Sequence, residues 1–180
     1  MTGVRWPKLR LFLALIGILT GIIEYGLASH VAWLGIKPDF TLVLAVLAGL
    51  AFGPYDGAVA GFFAALVPDL WGGRYLGVLP AVHLAVGFLA GIVGGRVFKE
   101  NIAVPLSAGI LGTLTGNILA LLLYRALGVP FPAVLPALSI MLRSSLYNGL
   151  LAPFVYVVLI RLRTAVRATG APGTPGAGNG

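Results

Sequence analysis

Four side chains of this sequence pair reactive chemistry with apolar surroundings: Glu24, His83, Asn117 and Arg143. A carboxylate and an imidazole can pass a proton. An imidazole can also ligate a metal. A carboxylate and a guanidinium can pair with each other or hold a polar solute. The chain contains no Cys, which removes disulfides, thiolate nucleophiles and Cys-based metal or cluster sites together.

Familiar catalytic spellings are missing. There is no GxxxxGK[ST] phosphate loop and no HExxH. The stretch Pro105-Leu106-Ser107-Ala108-Gly109 lacks the first Gly of a GxSxG elbow. Tyr55-Asp56 matches one half of an intramembrane aspartyl protease pair, but no GxGD follows to complete it. Catalysis needs at least two converging groups, and the sequence spells out no convincing pair. The chain reads as a non-enzyme with no cofactor and no metal site. His83 reads as a hydrogen-bonded structural histidine, and Asn117 and Asn148 read as donors of interhelical hydrogen bonds.

The elements that position these groups must lie in lipid. Hydrophobic residues make up 59% of the 180 and charged residues only 9%, against about 25% charged in a soluble domain. A soluble fold of this size cannot keep its exterior wetted with so few polar groups, so a soluble enzyme is excluded and the bilayer is the first partner. The net charge of +7 suggests nucleic acid only in a soluble protein. In a membrane chain it reflects Lys and Arg kept on the cytoplasmic side, so no nucleic-acid partner is expected.

The sequence predicts an all-α polytopic membrane protein with six transmembrane helices. The spans are about Leu9–Val31, Phe40–Phe52, Ala58–Leu70, Leu76–Gly95, Ile102–Tyr124 and Pro136–Leu162, within one membrane domain over 1–167. A disordered tail follows over 168–180, poor in apolar bulk and without charge. Span 1 has the basic start of a signal peptide, but its length and Glu24 mark it as a retained helix. With the N-terminus in the cytoplasm, Arg5, Lys8, Arg10, Arg96, Lys99, Arg161, Arg163 and Arg167 lie inside; Lys37, Arg74 and Arg125 lie outside. Both termini are therefore expected to be cytoplasmic.

Spans 2 and 3 are short, roughly 20 Å each at 1.5 Å per residue, against a hydrocarbon core of about 30 Å. They meet at Gly53-Pro54-Tyr55-Asp56-Gly57, a turn by its chemistry. They are either short helices buried among the others or a re-entrant hairpin. Pro38-Asp39 opens span 2 and Pro68-Asp69 closes span 3, which brackets the hairpin with two acids at the outer face. On the same topology Glu24, His83, Asn117 and Arg143 all fall in the outer half, roughly 10 Å below the surface. Glu24 and Arg143 are the charges of opposite sign at matching depth, so they are predicted to pair, either as a structural ion pair or as the wall of an outward-facing polar pocket.

The glycines form stripes. Gly87, Gly91 and Gly95 spell GxxxGxxxG in span 4, Gly17 and Gly21 lie in span 1, and Gly112 and Gly116 lie in span 5. Small residues four apart let helix backbones approach closely in lipid. The stripes do not say whether the neighbour is the same chain, a second copy in a homo-oligomer, or another protein.

The stretch Ile36–Gly95 resembles the core of the MreD family of bacterial rod-shape-determining membrane proteins. The residues that carry the resemblance are Pro38, Asp39, Gly53, Pro54, Gly57, Gly61, Phe62, Asp69, Leu76, Gly77, Gly87 and Gly91. Pro68 departs from the family pattern, which more often has an aliphatic residue there, so the local helix end is expected to differ. The resemblance implies a non-enzymatic scaffold of the cell-wall elongation machinery in the bacterial inner membrane. Such a scaffold binds the membrane helix of MreC, and acts less directly with MreB and the RodA–penicillin-binding synthase in peptidoglycan synthesis and rod shape. It also implies a fold similar to the S components of energy-coupling-factor transporters. That fold raises an alternative function, a vitamin-like solute-binding S component or carrier subunit with its pocket at Glu24, His83, Asn117 and Arg143.

Overall fold

The computed structural model describes residues 6–27, 37–72, 75–94, 101–130 and 133–168. The described residues form six α-helices: α1 (Trp6–Leu27), α2 (Phe40–Phe52), α3 (Pro54–Gly72), α4 (Val78–Gly94), α5 (Ala103–Ala126) and α6 (Val134–Ala168). Three of them, α1, α5 and α6, are long and apolar enough to cross a membrane. Gly95, the outer end of span 1 beyond Leu27 and the tail beyond Ala168 lie outside the described residues.

The architecture is built around α2. Its sequence is apolar on every side, and a helix of that kind must be buried all round. Every residue from Thr41 to Ala51 is buried, and α2 touches each of the other five helices. The 13-residue span predicted from sequence is this helix. Its shortness fits an axis sheathed by longer helices. Asp39 starts it, its carboxylate accepting the Leu42 amide at 2.7 Å, and Gly53 ends it at φ 118°. Only glycine adopts that conformation without strain.

The α2–α3 connection is shorter than its composition suggests. The expected five-residue turn collapses to Gly53 alone, because Pro54 starts α3 directly. Proline suits the first helical position, where its missing N–H has no intrahelical acceptor to serve. Tyr55, Asp56 and Gly57 are therefore helical, and α3 runs through Pro68 to Gly72, past the expected end at Leu70. At the other end of α4, Leu76 and Gly77 belong to a turn, with Gly77 at φ 93°, and the helix starts two residues later than expected. Helix α6 is longer than predicted at both ends.

Helices α1, α3 and α4 wrap one side of α2. Helices α5 and α6 pair with each other and cover the rest. Outward-facing Leu15, Leu19, Leu89, Ile92, Leu122, Leu146 and Phe154 are all exposed, which suits helices solvated by lipid.

Candidate functional site

Polar side chains, some buried and some half-buried, converge on the start of α2. Asp39 is the hub. Its Oδ1 accepts the Leu42 amide, accepts the Thr41 hydroxyl at 2.9 Å, and lies 3.4 Å from His83 Nε2. Its backbone N–H donates to Asn148 Oδ1 on α6 at 3.0 Å. Asn148 in turn donates from Nδ2 to Thr113 Oγ1 on α5 at 3.2 Å. From the opposite side, Glu24 Oε2 on α1 accepts the Thr41 amide at 2.7 Å. One chain of bonds therefore ties α1, α2, α4, α5 and α6 at a single level.

Hydrogen counting defines what His83 can do there. The Leu79 carbonyl, 2.9 Å from Nδ1, can only accept, so Nδ1 carries a hydrogen. Nε2 lies 3.2 Å from the Thr41 hydroxyl. The Thr41 hydroxyl has one proton, which goes to Asp39 Oδ1 or, when the ring is neutral, to Nε2 in its place; in the charged ring Nε2–H donates to Asp39 or to the Thr41 oxygen. Either way the side chain is held at both nitrogens by groups of the fold. His83 is buried, with Leu79 at one ring nitrogen and Thr41 and Asp39 at the other.

Two of the four singled-out groups meet. Glu24 and His83 both engage Thr41. Asn117 belongs to a separate contact, donating from Nδ2 to Ser144 Oγ at 3.1 Å, which joins α5 to α6. The Glu24–Arg143 pair does not form. Helices α1 and α6 share no contact, Glu24 turns inward to Thr41, and Arg143 is exposed on α6. Depth along each helix matched, but rotation about the helix axis was invisible to a depth argument. Among the described residues no group of three His, Asp or Glu side chains is disposed to hold a metal.

The family-pattern residues occupy structural positions. Pro38 is buried beside the hub and Asp39 caps α2. Gly53 and Pro54 make the tight connection described above. A Cβ at Gly61 would come 2.5 Å from the His83 carbonyl, so this glycine sets the α3–α4 distance. Asp69 is buried; its Oδ2 accepts the Gly77 amide at 2.6 Å, and its Oδ1 has no hydrogen-bond partner. The two Pro-Asp pairs thus sit toward the same end of the molecule, one capping a helix and the other closing the α3–α4 turn.

The glycine stripes are spent internally. A Cβ at Gly17 would lie 2.8 Å from the Ala60 carbonyl, and one at Gly21 would lie 2.5 Å from the Ala64 carbonyl, both on α3. Gly87 meets the backbone of Gly57, and Gly91 meets that of Pro54. These four glycines are therefore unavailable as a docking face for another protein, because α3 and the α2–α3 connection already fill them.

At the opposite end of the molecule a groove of about 380 Å³ is lined by Arg10, Phe52, Gly53, Pro54, Tyr55 and Asp56. Arg10 Nε donates to the buried Asp56 carboxylate at 3.3 Å, and its guanidinium lies 5.9 Å from the centre of the Tyr55 ring. This clamp fastens α1 to the start of α3. Sequence reasoning missed it, and also missed Thr41 and Thr113 in the central network. The available signal was Asp39 itself, an Asp just ahead of an apolar run and three residues before Leu42, the spelling of a helix N-cap. No family model, no curated protein and no solved structure matches the chain.

Proposed function

We propose that this chain is a non-enzymatic membrane scaffold of the MreD type. In this reading all six helices cross or lie within the inner membrane, with both termini in the cytoplasm. The chain binds the membrane helix of an MreC-type partner and through it serves the elongation machinery. The observation that carries the reading is the state of the polar groups around the start of α2, of which His83, Asn148 and Thr113 are buried and Glu24 and Asp39 half-buried. Glu24, Asp39, His83, Asn148 and Thr113 are bonded to one another or to backbone, so they specify one packing of five helices. A scaffold needs that kind of interior. Asp39, Gly53, Pro54, Gly61 and Asp69, which carry the resemblance, all lie at turns, caps or close helix contacts.

The carrier alternative needs the same groups to face a ligand. Glu24 and His83 instead engage Thr41 and Leu79, and Asn117 and Arg143 lie away from them on the α5–α6 pair. That arrangement favours the scaffold.

The test is co-purification from a rod-shaped bacterium that makes the tagged chain at its native level. An MreC-type single-span protein should be recovered, and depletion of the chain should round the cells. Recovery of an ATPase module or a bound vitamin instead would establish the carrier alternative and overturn the scaffold.

A further inference from the structure

The surface of α6 around Arg143 is at odds with its surroundings. Arg143 is exposed within the apolar stretch Val134–Thr164. Its neighbours on the same helix face, Ile140, Leu146 and Leu150, are exposed as well. A guanidinium therefore stands in a face otherwise suited to lipid, where charge is expensive. Every carboxylate among the described residues is engaged elsewhere. Glu24 is on Thr41, Asp39 is at the hub, Asp56 is on Arg10 and Asp69 is on Gly77.

The position argues for what compensates the charge. Arg143 lies about 14 Å from the start of α6 and about 27 Å from Arg161 along the helix. Apolar, exposed residues continue on both sides of it, with Leu135 and Leu138 on one side and Leu146 and Leu150 on the other. Snorkelling toward headgroups would have to pass more than two apolar turns. A carboxylate presented at the same depth by a neighbouring helix relieves the charge in place with a bidentate, charge-assisted pair.

We infer that the α6 face formed by Ile140, Arg143, Leu146 and Leu150 docks a partner's membrane helix that carries an Asp or Glu within its span, paired with Arg143. The inference rests on the scaffold reading for the existence of such a partner, and adds the face and the counter-charge. It also replaces the glycine stripes as the docking surface.

The absence of native cysteine makes the test direct. The full-length L146C chain is placed in neutral phosphatidylcholine nanodiscs with a synthetic apolar helix bearing one Cys and a single Glu, or Gln, at matching depth. The Glu helix should form the disulfide about tenfold more than the Gln helix. Arg143→Gln should erase that preference, and Arg143→Glu should transfer it to a Lys helix. Equal capture of the Glu and Gln helices overturns the inference. Loss of the Glu preference when anionic phosphatidylglycerol is added also overturns it, and makes a lipid headgroup the occupant. If Arg143→Gln retains an MreC-type partner in cells at wild-type yield, the face is wrong and the scaffold reading stands. If the unmodified chain recovers no such partner, the scaffold reading itself fails.

Discussion

The two sides of α2 are packed by different means. On the α1–α3–α4 side, glycines meet backbone. A Cβ at Gly57 would strike the backbone of Gly49 and the Gly87 carbonyl, and one at Gly87 would strike the Gly57 backbone and come 3.1 Å from the Ala45 carbonyl. On the α5–α6 side, several glycines meet side-chain ends. A Cβ at Gly116 would lie 2.8 Å from Leu42 Cδ2, one at Gly112 would meet the methyls of Val46, and one at Gly149 would meet Ile110. Backbone cannot step aside, whereas a leucine tip can change rotamer. The first side is a fixed block. The second meets α2 through side chains and is the more adjustable there, although α5 and α6 meet each other closely at Gly109; it also carries Arg143, which has no counter-charge among the described residues.

The difference predicts a gradient of effects. Gly87→Ala should be the most damaging, destabilising by about 3 kcal/mol or more because α3 and α4 must separate. Detergent-solubilised protein should show a sharply lowered melting temperature or fail to accumulate. A normal melting temperature would mean that the two helices are not fixed against each other.

Asp39→Ala comes next, because Asp39 lies where the two sides join. It removes the cap on Leu42 and the contacts to Thr41 and His83. A loss of about 2–3 kcal/mol is expected from the cap and the orphaned buried groups. Cysteine pairs placed across the α4–α2 contact should cross-link more slowly in this variant, while α6–α2 pairs, tied through the retained backbone N–H to Asn148, should change less. Unchanged cross-linking would mean that the hub does not couple the sides.

Gly116→Ala should change stability by no more than about 1 kcal/mol. The helix gains by exchanging Gly for Ala, and Leu42 gives way. A collapse comparable to that of Gly87→Ala would break the distinction between the two sides.

Much of this frame was legible in the sequence. Six apolar segments became six helices, and span 2 was placed to the residue, because an apolar run bounded by Asp39 and Gly53 has few other ways to start and stop. The burial of α2, one of two options left open, follows from its lack of any polar face. Helix α3 reaches further than its composition suggests, because Pro54 reads as a turn former and Pro68 as a helix end. Both are tolerated, one at the first helical position and the other inside the last two turns. The site was legible by composition but not by geometry. Glu24 and His83 were found because charge and imidazole are rare here. Their shared partner Thr41, and Thr113, which accepts from Asn148, are ordinary residues whose importance appears only once the helices are rotated against one another. The same rotation turns Arg143 outward, which no count of residues from a membrane surface could reveal.

In the proposed scaffold the polar network around Asp39 serves to hold the fold. Glu24→Gln tests it most directly, since the amide oxygen can still accept the Thr41 N–H while the charge is gone. The variant should keep wild-type thermal stability, recover the MreC-type partner at wild-type yield, and sustain rod shape when it is the only copy in the cell. A Glu24→Gln protein that folds with normal stability yet loses partner recovery or rod shape would contradict the account, and would assign the Glu24 charge a working role.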